Sequence, residues 1–167
     1  MTPDEFNRLD AAAAARALAG CCAASRWVED MLARRPFGER PSLLDAARAA
    51  WAGTGERDWL EAFEAHPRIG DIDSLREKYA ATRDMAAGEQ GGVHGADAQT
   101  LAELARFNEA YLDKFGFIFI VFASGKSAGE MLALIRSRIN NSREQELANA
   151  AAEQLEITLL RLGALVS

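Results

Sequence analysis

The sequence predicts an all-α protein of roughly eight helices. Three observations predict it. Helix-start signals recur along the chain, at Thr2-Pro3-Asp4-Glu5, at Asp10, at Ser127 and at Ser142 with Gln145. Between them apolar residues return at helical spacing, as Trp59, Leu60 and Phe63 do. Phe117 to Phe122 is strand-like in composition, but the chain offers no second such segment to pair with it.

Each element has a local reason. Thr2 and Glu5, with Pro3 between them, form a capping box that starts the first helix. Asp10 opens an alanine-rich stretch to Ala19, Gly20 is expected to break it, and a further helix runs to about Arg35 before Pro36-Phe37-Gly38. Ser42 and Asp45 start a helix that Gly53 closes. Glu56 to Ala65 is the next. Asp73-Ser74 can cap a helix through Leu75 and Tyr79, and Asp97 a long one through Leu101, Leu104, Tyr111 and Leu112 that ends at Gly116. Ser127 starts another, and Ser142 with Gln145 opens a helix that continues almost to the C-terminus. No repeat, linker or low-complexity tail divides the chain, and residues 1–167 are expected to form a single domain.

Phe117 to Phe122 reads Phe-Ile-Phe-Ile-Val-Phe, aromatic and β-branched throughout. An isolated strand would leave backbone donors and acceptors unpaired. The segment is therefore either buried extended chain or a helix forced by tertiary packing.

Composition narrows the function. A chain of 167 residues suits one sizeable core, and a formal charge of −6 without a basic stripe argues against a nucleic-acid partner. No apolar run approaches membrane-spanning length and the first residues lack the zones of a secretory signal, so a soluble, cytoplasmic protein with no membrane partner is expected. Cys21 and Cys22 are adjacent, which fits buried small side chains better than a redox or zinc motif. Gly125-Lys126-Ser127 resembles the end of a phosphate loop, but the glycine required five residues earlier is Ile120.

The candidate chemistry centres on His66-Pro67-Arg68-Ile69-Gly70. Pro67 disfavours helical geometry at the residue before it, so His66 falls where a helix becomes a loop. It can simply answer the negative helix end and pack over Phe63, or it can transfer protons, since an imidazole titrates near working pH. His94, in a glycine-rich stretch, reads as loop or surface.

Two further motifs accompany His66: Met85 to Val93, Met-Ala-Ala-Gly-Glu-Gln-Gly-Gly-Val, and Phe115 to Ala123, Phe-Gly-Phe-Ile-Phe-Ile-Val-Phe-Ala. His-Pro-x-Ile-Gly, Glu-Gln-x-Gly and Phe-Gly-Phe-x-Phe in this order and spacing resemble the 2-oxo-4-hydroxy-4-carboxy-5-ureidoimidazoline (OHCU) decarboxylases of urate breakdown. The resemblance runs from Phe6 to Leu165. It implies a carboxy-lyase that converts a small ureido-imidazoline to (S)-allantoin and carbon dioxide, with no metal or organic cofactor, acting as a homodimer. It implies His66 as proton manager with Glu89 beside it. Substrate contacts would come from Pro67, Glu89, Gln90, the backbone of Phe119, Ile120, Val121, Phe122 and Ala123, and Arg161. Without the other motifs, Glu89-Gln90 would read as a solvated loop.

Arg161 interrupts Leu159-Leu160-Arg161-Leu162, so its guanidinium either snorkels to water or points into a polar site, where it would suit a carboxylate or oxyanion. Two positions depart from the family pattern. Ala86 stands where a serine is usual and Ile118 where proline is frequent. The missing hydroxyl is worth about 0.5–1.5 kcal/mol of binding. Alternatives left open are decarboxylation of a related ureido substrate, a non-catalytic binding module, and an all-helical interaction protein.

Overall fold

Local capping chemistry sets most of the helix starts in the computed structural model, which describes residues 1–67, 75, 77 and 98–167. Among these residues are eight helices: α1 (Pro3–Arg8), α2 (Ala11–Cys21), α3 (Ser25–Ala33), α4 (Arg40–Ala52), α5 (Glu56–Glu64), α6 (Ala98–Phe115), α7 (Ala128–Arg138) and α8 (Arg143–Leu165), with no strand. The all-α expectation holds. Leu75 and Glu77 are also helical, whereas the expected caps Asp73, Ser74 and Asp97 lie outside the described residues.

The hydroxyl of Thr2 accepts from the Glu5 N–H while the Glu5 carboxylate accepts from Thr2, which closes the expected box on α1. Asp10 caps α2 through the Ala13 N–H at 2.7 Å. Ser127 caps α7 through Glu130, and Ser142 exchanges hydrogen bonds with Gln145 at the start of α8. Gly116, at φ +81°, ends α6 in the left-handed region that glycine adopts without strain.

Two expected boundaries move. Gly20 does not break α2, which continues to Cys21. A glycine inside a helix costs about 1 kcal/mol relative to alanine. Burial of Leu18 and Cys21 on the inner face offsets that cost. Ser42 is not the first residue of α4; the helix begins at Arg40, with Ser42 in its first turn accepting from the Glu39 N–H at 3.1 Å. Pro41 is tolerated there because the first helical N–H groups have no intrahelical partner.

The described residues fall into two compact units. The first comprises 1–66 and 147–167. Its core joins Phe6, Leu18, Trp27, Met31, Leu43, Trp51 and Leu162. Two indoles are tied as well as packed: Trp27 donates to the Ala47 carbonyl at 3.1 Å and Trp51 to that of Ala151 at 3.0 Å. Within this unit α3 packs on α2, α4 and α5. Glu61 of α5 accepts from the backbone and hydroxyl of Ser25, capping α3 from a neighbour because Ala24 has no side chain to do it.

The second unit spans 67–146 and is built on α6 packed against α7. Tyr111, Phe115, Phe117 and Phe119 form its aromatic cluster, with ring centroids 4.5–6.0 Å apart. Of the two readings for Phe117–Phe122, the helix is excluded: the segment is neither helix nor strand.

Candidate functional site

His66 sits two residues beyond α5, directly before Pro67, and its N–H still bonds the Phe63 carbonyl at 3.1 Å. Its placement at a helix end is as the sequence predicts. Phe63 and Ala62 are buried and fix α5, so the half-buried imidazole is presented from an anchored helix end.

The ring has a partner that sequence reasoning missed. His66 Nε2 lies 2.6 Å from Gln154 Oε1 on α8. The Gln154 amide nitrogen donates to the Thr158 hydroxyl at 3.1 Å, and that hydroxyl donates to the Gln154 carbonyl at 2.9 Å. Gln154 and Thr158 are both 1% exposed. Burial, the largest influence, holds the His66 pKa below its ordinary value; the bond to Gln154 works the other way and the Arg161 charge adds to the lowering. The imidazole is therefore neutral at pH 7.

Arg161, on α8, is exposed. Its charge nevertheless acts on His66 and on both cysteines. Cys21 and Cys22 are free and buried, as expected. Burial pushes the Cys21 thiol up to about 11, so it is unreactive as a nucleophile at neutral pH.

In the second unit, the segment Phe117–Ala123 is held by cations instead of a neighbouring strand. Arg138 Nη1 donates to the Ile120 carbonyl at 2.7 Å and its guanidinium lies 4.5 Å from the Phe119 ring centroid. Lys126 donates to the Phe122 carbonyl at 2.6 Å through its ammonium and to that of Ala123 at 3.1 Å through its backbone. Ile120 is buried, while Phe119, Val121, Phe122 and Ala123 are half-buried.

Arg138 is itself anchored by Glu146. The Glu146 carboxylate, fully buried, accepts from Arg138 Nε at 2.7 Å, from Tyr111 at 2.6 Å and from Asn141 at 3.0 Å. Burial and this carboxylate push the Tyr111 phenol far above its ordinary pKa, so it stays protonated, donating to Glu146 while accepting from Arg138 at 3.5 Å.

Pro67 is exposed directly after His66. Glu89, Gln90, Ala86 and His94 lie outside the described residues. Among the described residues no three His, Cys, Asp or Glu side chains are grouped to hold a metal ion, and no helix is long and apolar enough to cross a membrane.

The sequence pattern of the OHCU decarboxylases matches residues 7–163. The chain belongs to the OHCU decarboxylase family. Solved members share its fold: a crystal structure of OHCU decarboxylase in the presence of (S)-allantoin aligns with a TM-score of 0.71 at 37% identity, covering 88% of this chain and 94% of that one. The 2-oxo-4-hydroxy-4-carboxy-5-ureidoimidazoline decarboxylase of Halalkalicoccus jeotgali is 29% identical over 97% of this chain and 90% of its own length. The uric acid degradation bifunctional protein TTL of Arabidopsis thaliana is 36% identical over 88% of this chain, which spans only 45% of that protein.

Gln154 had a signal in the sequence. With Thr158 it occupies the stripe of α8 that also carries Ala150, Ala151 and Leu162, all buried. Two polar residues on a buried stripe need partners. One of those partners is His66.

Proposed function

We propose that this chain decarboxylates OHCU to (S)-allantoin and carbon dioxide in urate degradation, with His66 managing the proton. The observation that carries the reading is His66 itself, neutral and oriented at an anchored helix end in a chain of this family.

The chemistry asks little beyond positioning. The carboxylate leaves as carbon dioxide, the electron pair of the broken carbon–carbon bond passes into the ring, and one proton added to one face completes the product. A neutral imidazole can accept a proton and then hand it on, which is typically worth about 10²–10⁴-fold in rate. The reaction needs no metal or organic cofactor, because the ring itself accepts the electrons.

The remaining residues take recognition roles. Glu89 accepts from the urea-like N–H groups and supports His66, Gln90 meets the ureido carbonyl, and Pro67 fixes the backbone beside the imidazole. The backbone of Phe119, Ile120, Val121, Phe122 and Ala123 binds the planar polar edge of the ring, its shape set by Arg138 and Lys126. Arg161 suits the substrate carboxylate and the charge that develops as it leaves. The family match spans both compact units, which supports their working as a single domain. A cytoplasmic homodimer completes the proposal, and sedimentation at micromolar concentration tests the dimer.

The test generates OHCU in place with urate oxidase and hydroxyisourate hydrolase and follows circular dichroism. Enantiomerically pure (S)-allantoin gives a lasting signal; spontaneous decay gives racemic product and none. A flat trace from folded protein would refute the proposal.

A further inference from the structure

The hydrogen bonds around His66 have a direction. A threonine hydroxyl has one proton, and Thr158 gives it to the Gln154 carbonyl at 2.9 Å. It must then accept from the Gln154 amide, so the NH₂ group faces Thr158 at 3.1 Å and Oε1 faces His66. An amide oxygen only accepts. His66 Nε2, at 2.6 Å, must therefore carry a hydrogen, and in the neutral ring the lone pair falls to Nδ1.

We propose that Gln154, oriented by Thr158, is a positioning residue that holds neutral His66 as the Nε2–H tautomer, making Nδ1 the nitrogen that takes up the reaction's proton. The burial of both side chains favours this role, since Gln154 at 1% exposure has little access to water and releasing His66 would leave a buried acceptor unpaired. A surface glutamine would impose no such choice. The charged and titratable groups around the relay are Arg161 on α8, Cys21 and Cys22 at the end of α2, and Glu61 on α5; Arg161 acts on His66 and both cysteines, and Glu61 on Cys22.

The catalytic half of this inference rests on the decarboxylase reading; the tautomer half does not. The experiment therefore begins with ¹⁵N and ¹³C NMR of the imidazoles in ligand-free protein above pH 7.5, with His94→Asn to assign the two histidines. The wild type is expected to show His66 as Nε2–H. Thr158→Val frees the amide to turn its NH₂ toward the ring and should bring in the Nδ1–H form, with kcat down about tenfold or more, within the range of a positioned acid or base, and KM little changed. Gln154→Glu keeps an acceptor in place and should preserve the Nε2–H form, while the added negative charge moves the acid limb of the kcat/KM profile to higher pH. A packing role alone would move neither tautomer nor profile. An Nδ1–H ring in the wild type, or an unchanged tautomer in both Thr158→Val and Gln154→Leu, would overturn the proposal. The Nε2–H form in a folded protein that does not turn over OHCU would fault the reading of the reaction and leave the relay standing.

Discussion

Glu146→Gln keeps the shape of a fully buried carboxylate and removes its charge, which makes it a sharp probe of how the Phe117–Phe122 segment is held. In the native protein Glu146 receives Arg138 at 2.7 Å, Tyr111 at 2.6 Å and Asn141 at 3.0 Å. Arg138 is only 8% exposed and in turn holds the Ile120 carbonyl. The substitution strands a buried guanidinium, and breaking one side of a buried pair costs about 3–5 kcal/mol. For a chain of this length each kcal/mol lowers Tm by roughly 2–4 °C, so the expected loss is about 6–20 °C. The double variant Arg138→Met with Glu146→Leu removes both charges and should recover most of the loss, since the desolvation cost disappears with the pair. Thermal unfolding followed by far-ultraviolet circular dichroism measures both. A Tm within about 2 °C of wild type for Glu146→Gln would refute the claim that this pair anchors the segment.

Other consequences follow from the same contacts. In its proposed role on the substrate carboxylate, Arg161→Ala should lower kcat/KM by about 10²–10³-fold, with part of the loss in KM; steady-state kinetics in the coupled assay reads it. The same variant removes a charge that lowers the His66 pKa, so the acid limb of its kcat/KM profile should move to higher pH. His66 makes stability pH-dependent: between its lowered native pKa and the ordinary 6.5 the unfolded chain binds more protons, so its contribution is fully present above pH 6.5 and lost as pH falls through that window. Urea midpoints of wild type and His66→Ala at several pH values should converge toward acid. Asp10→Ala removes the cap of α2 and should cost about 1 kcal/mol, or roughly 2–4 °C in Tm.

Much of the fold was legible because caps are local. Thr2, Asp10, Ser127 and Ser142 act within three residues of themselves, and Gly116 needs nothing beyond its own φ. The misread boundaries have different causes, burial for Gly20 and a local bond to Glu39 for Ser42. Gly20 reads as a breaker until Cys21 is known to be in the core, and Ser42 reads as a cap until Glu39 is seen to lead the turn.

The site divides the same way. The place of His66 came from its neighbours Phe63 and Pro67, but its partner lies 88 positions along the chain. Arg138 continues the buried face of Ala128, Met131, Leu132 and Ile135, and Glu146 begins the buried stripe of Leu147 and Ala150. Opposite charges on two buried stripes were a visible sign of a pair, though periodicity alone does not say that they meet. The irregular form of Phe117–Phe122 was half legible: lack of a pairing strand excluded a sheet, but the cations that hold it come from α7 and the turn before it. Glu89 and Gln90 rest on the family resemblance.

The most direct test of the account compares wild type and His66→Ala in the coupled urate assay, with far-ultraviolet spectra showing both folded. The account predicts a rapid (S)-allantoin signal from the wild type and a rate lower by about 10²–10⁴-fold from the variant, with substrate binding retained. Wild-type turnover in His66→Ala would contradict it.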